Sequence, residues 1–180
     1  MKTLNRILLI LLLITLVSAP VVWFVHREML RWAIVASFEP HIGSYLTGVP
    51  PDDGVESPPD FLHGRMVVVN RDTRQIDPMF FELPDDVRAT GPEDVSIVVV
   101  TTYKESKVGS YGHIPYVDGN AYACSASYQF VDSSHPGSVA SYRITSTPPF
   151  DVPSYLSFFD RHAPHPTSQF LYYLGQLPHR

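Results

Sequence analysis

Asp160, His162 and His165 form a D-x-H-x-x-H pattern, the most ligand-like cluster in the chain. Two imidazoles and a carboxylate are the donors that a zinc or iron ion takes, and a metal-dependent hydrolase could be built on them. Pro164 and Pro166 flank His165 and forbid a regular helix, so no shared face follows from the spacing. A solvated loop carrying ordinary histidines is the plainer reading. Cys124 is the single cysteine, and it would serve as a nucleophile only with one of the eight histidines beside it. Its alternation with Tyr122 and Tyr128 puts it mid-strand, which predicts a buried thiol packed as a small hydrophobe. Asp77, Glu82, Asp85, Asp86, Glu93 and Asp94 are numerous enough for a calcium or acid–base site. Their places beside prolines fit the first turns of short helices better, where an acid satisfies exposed N–H groups. The chain holds no G-x-S-x-G elbow, G-x-G-x-x-G fingerprint, P-loop or H-E-x-x-H pair, and no cofactor is expected.

These groups need elements to position them, and composition bounds what those can be. The chain has 180 residues, a formal net charge of −5 and no Lys/Arg cluster, so nothing in it would neutralise a phosphate backbone and nucleic acid is set aside as a partner. One cysteine excludes an internal disulfide and any multi-thiolate zinc or iron–sulfur site within one chain. The 17 prolines predict many reversals and few long helices.

The exception is the start. Ile7 to Val25 reads ILLILLLITLVSAPVVWFV, without a charge. As a helix it measures about 28 Å, close to the hydrocarbon thickness of a bilayer. Trp23 falls near the far end, where amphipathic aromatics favour the interface. Residues 7–25 are therefore expected to meet the lipid bilayer as one transmembrane helix. A cleaved signal peptide is the alternative, but its best site, Val17-Ser18-Ala19, is followed by Pro20, which blocks such cleavage. Lys2, Arg6 and the α-amino group on one side outweigh Arg27 and Arg31 on the other, which places the N-terminus in the cytoplasm and the remainder outside. His26 to Phe38 can continue the helix as a stalk or as a partner-binding surface.

Residues 1–38 are thus read as anchor and helical extension, 39–64 as a Pro- and acid-rich spacer, and 65–180 as a small β-rich domain. Arg65–Asn70 and Ser96–Tyr103 are apolar, β-branched runs, the second buried on both faces. Ile76–Leu83 is strand-like but broken by Pro78. Pro84 and Pro92 can each start a single helical turn. Lys104 to Gly119 reads as a long loop or hairpin. Ala121–Asp132 alternates as a half-buried antiparallel strand, and Ser138–Thr145 returns from a turn at Ser133–Gly137. Thr167 or Ser168 can cap a last helix with Phe170, Leu174 and Leu177 on one stripe. The fold class expected is α+β, chiefly an antiparallel sheet of about five strands with a C-terminal helix, preceded by one N-terminal transmembrane helix.

The run from Val67 onward resembles an uncharacterised family of small bacterial β-rich domains, often membrane-anchored. The matching residues are Asp72-Thr73, Ile76-Asp77-Pro78, Leu83-Pro84, Val87-Arg88-Ala89, Pro92-Glu93, Tyr103, Ala121-Tyr122, Cys124, Val131-Asp132 and Leu177-Pro178. The chain departs from the pattern after Asp132, where its loops are longer and richer in histidine. The family has no established activity, so the resemblance implies a β-rich fold and anchoring, and no chemistry.

Together these readings predict a single-pass membrane protein whose extracytoplasmic domain is a non-enzymatic binding or accessory module with an envelope protein partner. A metal-dependent hydrolase on Asp160, His162 and His165 is one alternative. A small subunit of a membrane complex, working through the helix to Phe38, is another.

Overall fold

Straight-chain and branched apolar residues with no interior glycine favour a long helix, and α1 runs from Lys2 to Phe38. Pro20 lies inside it; the lost hydrogen bond does not end the helix. The structure, a computed structural model, describes residues 2–51, 57–111, 119–148 and 160–179, with side chains described except at 2–17, 111 and 136–139. Among the described residues no helix is long and apolar enough to cross a membrane. The first part of the apolar run lies among the side chains outside that description.

The chain divides into two compact units, Met1–Phe38 and Glu39–Arg180. The second is α+β. A short helix, α2 (Ile42–Leu46), precedes a six-stranded sheet of β1 (Arg65–Asn70), β2 (Gln75–Ile76), β3 (Val95–Tyr111), β4 (Gly119–Asp132), β5 (His135–Ser146) and β6 (Arg161–His162), followed by α3 (Thr167–Leu174). The strand order is β2-β1-β3-β4-β5, with β6 joining β4. The sheet is chiefly antiparallel, as expected, but mixed: β1 runs parallel to β3 and β6 parallel to β4. Met66–Val69 and Ile97–Val100 are continuous apolar runs buried on both faces, the pattern of parallel neighbours. The connection through residues 71–94 is long enough to cross over between them.

Two further segments differ from the sequence reading. Ile76–Leu83 is not a strand: after Ile76, Pro78 opens a 3₁₀ turn over Pro78–Glu82 capped by Asp77. Lys104–Gly119 takes the hairpin form of its loop-or-hairpin reading: β3 reaches Tyr111, which pairs antiparallel with Gly119 at the start of β4. The segment 39–64 is not merely a spacer. Leu62 is wholly buried and donates its N–H to the carbonyl of Pro178, Ile42 is buried, and Ser57 exchanges backbone hydrogen bonds with Ser141 of β5. Five prolines stiffen this segment, and apolar residues such as Ile42 and Leu62 hold its described parts onto the unit.

Alternation along β4 puts Tyr122, Cys124, Ala126, Tyr128 and Phe130 on one face of the sheet. On it α3 lays Phe170 flat against Tyr128, with ring centroids 3.8 Å apart, and tilted against Phe130. Phe170 and Leu174 form the buried stripe, each contributing about 1.5–3 kcal/mol by removal from water. Thr167 and Ser168 do not cap α3; the N-cap is Pro166, without a side-chain bond. The opposite face of β4 is also covered: Ser127 and Gln129 are buried, and the Gln129 amide and the Arg71 guanidinium both donate to the carbonyl of Pro50.

Candidate functional site

The α3 face of the sheet brings Asp77, Tyr103, Cys124, Tyr128 and His165 near one another. Asp77 leaves β2 with its N–H donated to Val68 and is only 3% exposed. One carboxylate oxygen accepts the N–H of Met79 at 3.0 Å, and the other accepts the hydroxyls of Thr101 and Tyr103 at 2.8 and 2.9 Å. Three donors compensate its removal from water. Thr101 and Tyr103 are two apart on β3 and so share the face. Burial, then the negative charge of Asp77, pushes the Tyr103 phenol far above its ordinary range, so it stays a neutral donor.

The Tyr103 and His165 rings meet at right angles, centroids 4.3 Å apart. His165 in turn has Nδ1 3.9 Å from the Cys124 sulfur. The loop that delivers His165 is tied down at three points. Asp160 accepts the N–H and side-chain amide of Asn120, Ala163 donates to Tyr122, and the Ser146 hydroxyl donates to the Pro164 carbonyl. Cys124 is 1% exposed, and burial, then the charge of Glu105, raises its thiol. A nucleophilic cysteine needs the opposite shift. The pair is a weak thiol–imidazole contact, as the small-hydrophobe reading of Cys124 anticipates. Tyr128, nearby on the same face, has a buried hydroxyl with no hydrogen-bond partner among the described residues, and burial, then Asp77 and Cys124, raises it strongly.

Asp160, His162 and His165 are not brought together as one ligand set. Asp160 is engaged by Asn120; His162 stacks on Tyr122 at 4.7 Å and approaches Glu105 at 3.0 Å; His165 faces Tyr103 and Cys124. Among the described residues no group of three His, Cys, Asp or Glu side chains could hold a metal ion. Asp77 and Asp94 take the turn roles that their neighbouring prolines implied: Asp94 accepts the N–H groups of Thr90 and Gly91, and Asp85 pairs with Arg88. His113 lies outside the described residues.

At the β4–β5 turn, Asp132 stands between His63 and His135 at 3.5 and 3.6 Å and accepts from Ser134. Hydrogen bonds from Ser134, then the two imidazoles, hold its carboxyl below the usual range. Serine, histidine and aspartate meet here, but Ser134 and Asp132 both approach Nδ1 of His135. A proton relay needs the two partners on opposite ring nitrogens, so this group has turn geometry rather than catalytic geometry.

A second locus is uncharged. Tyr142 of β5 and Tyr173 of α3 stack with centroids 3.9 Å apart. With Ser168, Gln169, Tyr172 and Gln176 they line a groove of about 370 Å³. The sequence pattern does not reveal the groove, because only the packing of α3 against β5 brings these residues together. No family model, no curated protein and no solved structure matches the chain.

Proposed function

We propose that the chain is a single-pass membrane protein, anchored by residues 7–25, whose Glu39–Arg180 unit is a non-enzymatic binding or accessory module on the extracytoplasmic side. The observation that carries the reading is the exposed stretch of α1 from Val21 to Val25. Five successive apolar residues, each about half exposed or more, point in every direction around a helix. A helix that is apolar all round belongs in lipid or in a protein interior. The uncharged run from Ile7 supplies the rest of a bilayer's thickness. The module reading is supported by the chemistry on the sheet, where the thiol is buried and raised, the carboxylate is saturated by its donors, and the histidines have separate partners. Nothing in the placement of Asp160, His162 and His165 favours the metal-dependent hydrolase over it.

One observation favours the second reading, a small subunit of a membrane complex. Met29, Leu30 and Trp32 are also exposed, beyond the uncharged run. Crosslinking in native membranes, with and without residues 1–38 exchanged for an unrelated anchor, tests both. Partners kept after the exchange support the module; partners lost with it support the helix as the working part. No crosslinked partner in either form contradicts both readings.

A further inference from the structure

We infer that the groove between α3 and β5 binds a neutral, hydroxyl-rich ligand, a short stretch of oligosaccharide. The inference rests on the binding-module reading and gives it a ligand class. Ser168, Gln169, Tyr172, Tyr173 and Gln176 recur at helical spacing, so one stripe of α3 and the turn after it faces the groove while Phe170 and Leu174 face the sheet. Tyr142 completes the wall from β5. The Tyr142–Tyr173 stack is fixed from outside, since the Tyr173 hydroxyl donates to the Pro59 carbonyl at 3.5 Å. Tyr172 stands beside it 72% exposed, an aromatic face presented to solvent.

Charge decides the ligand class. The chain carries 13 basic and 18 acidic residues, yet none of the six wall residues is charged. A phosphate or an acidic peptide would leave water for a wall with no counter-charge. A wholly apolar ligand would strand two carboxamides and a serine hydroxyl, each needing a hydrogen bond once dry. A sugar ring satisfies both halves of the wall. Its C–H face lies on a tyrosine ring, and each hydroxyl can donate to a glutamine oxygen and accept from a glutamine nitrogen. Tyrosine loses little conformational freedom on contact, which suits shallow recognition. The volume falls within the ~300–1,000 Å³ typical of small-ligand sites.

Saturation-transfer difference NMR on the full chain in detergent tests the inference, with cellotetraose and chitotetraose as neutral ligands and tetragalacturonate as an anionic one. Saturation should reach the ring C–H protons of at least one neutral tetrasaccharide at ~1 mM, a weak-affinity regime. Tyr172→Ala should weaken that binding about tenfold and Gln176→Ala should weaken it by a smaller factor, while Lys104→Ala, on the exposed part of β3, changes nothing. Tyr172 is exposed, so its variant should keep the circular dichroism of the parent. No transfer to either neutral sugar, transfer untouched by Tyr172→Ala, or preferential binding of the anionic sugar overturns the inference. A membrane crosslink lost in Tyr172→Ala without sugar binding makes the groove a protein-docking face, which overturns the sugar inference and leaves the binding module standing. Loss of all crosslinks in the parent chain itself would count against the module.

Discussion

Asp77 binds three donors from three places in the chain, so its loss is felt at each. Asp77→Ala strands the Thr101 and Tyr103 hydroxyls and the Met79 N–H, and should cost about 2–4 kcal/mol in urea unfolding, against about 1 kcal/mol for Tyr103→Phe. Equal effects would mean that Tyr103 is the only donor that matters. Cys124, buried with a raised thiol, should react with iodoacetamide far more slowly in the folded chain than in urea. Equal rates would expose it as a reactive thiol. Asp94 gives a pH prediction. Burial pushes its carboxyl up, but the donors of Thr90 and Gly91 and the charge of Arg65 outweigh that and hold it below the ordinary value. A folded value depressed below the unfolded ~3.9 means that its contribution is complete above that value and is lost as the pH falls through the folded value. Asp94→Asn should therefore flatten the acid limb of stability between pH ~4 and below, and an unchanged slope would remove Asp94 from the account. Asp77 was legible as a cap from Pro78 beside it. Its partners on β3 were not, because they meet it only through strand register.

At the scale of elements, hydrophobic runs and proline punctuation located β1, β3, β4, β5 and α3. What local pattern could not carry was direction. The apolar run of β3 announced burial on both faces, but only the crossover through residues 71–94 makes β1 and β3 parallel. The segment 39–64 misled for a related reason: prolines and acids dominate its composition, while its fold depends on Ile42 and Leu62 and on pairing with residues far along the chain. Leu62→Ala should cost about 2–5 kcal/mol, as for a core leucine, and a cost near zero would return this segment to the status of a spacer. The D-x-H-x-x-H pattern was visible as residues, yet β6 pairs with β4 along Ala121–Tyr122 and sends its neighbouring side chains to separate partners. Spacing alone does not report such pairing.

For the whole molecule, the α+β unit carries a mixed sheet whose thiol, carboxylate and histidines on the α3 face each have their own partners, and α1 leaves large apolar side chains uncovered. The two facts meet in the proposed tether and recognition surface. A reporter fused after Arg180 should be active only outside the cytoplasm, in line with the Lys/Arg balance around the apolar run. The most direct test of the tether is alkaline carbonate extraction of membranes carrying the full chain, beside a Leu12→Arg/Leu16→Arg variant. The parent should remain in the membrane pellet and the variant, with two charges placed in the apolar run, should shift to the supernatant, since each charge at mid-bilayer costs about 2.5–3.5 kcal/mol. Release of the parent chain into the supernatant would contradict the account.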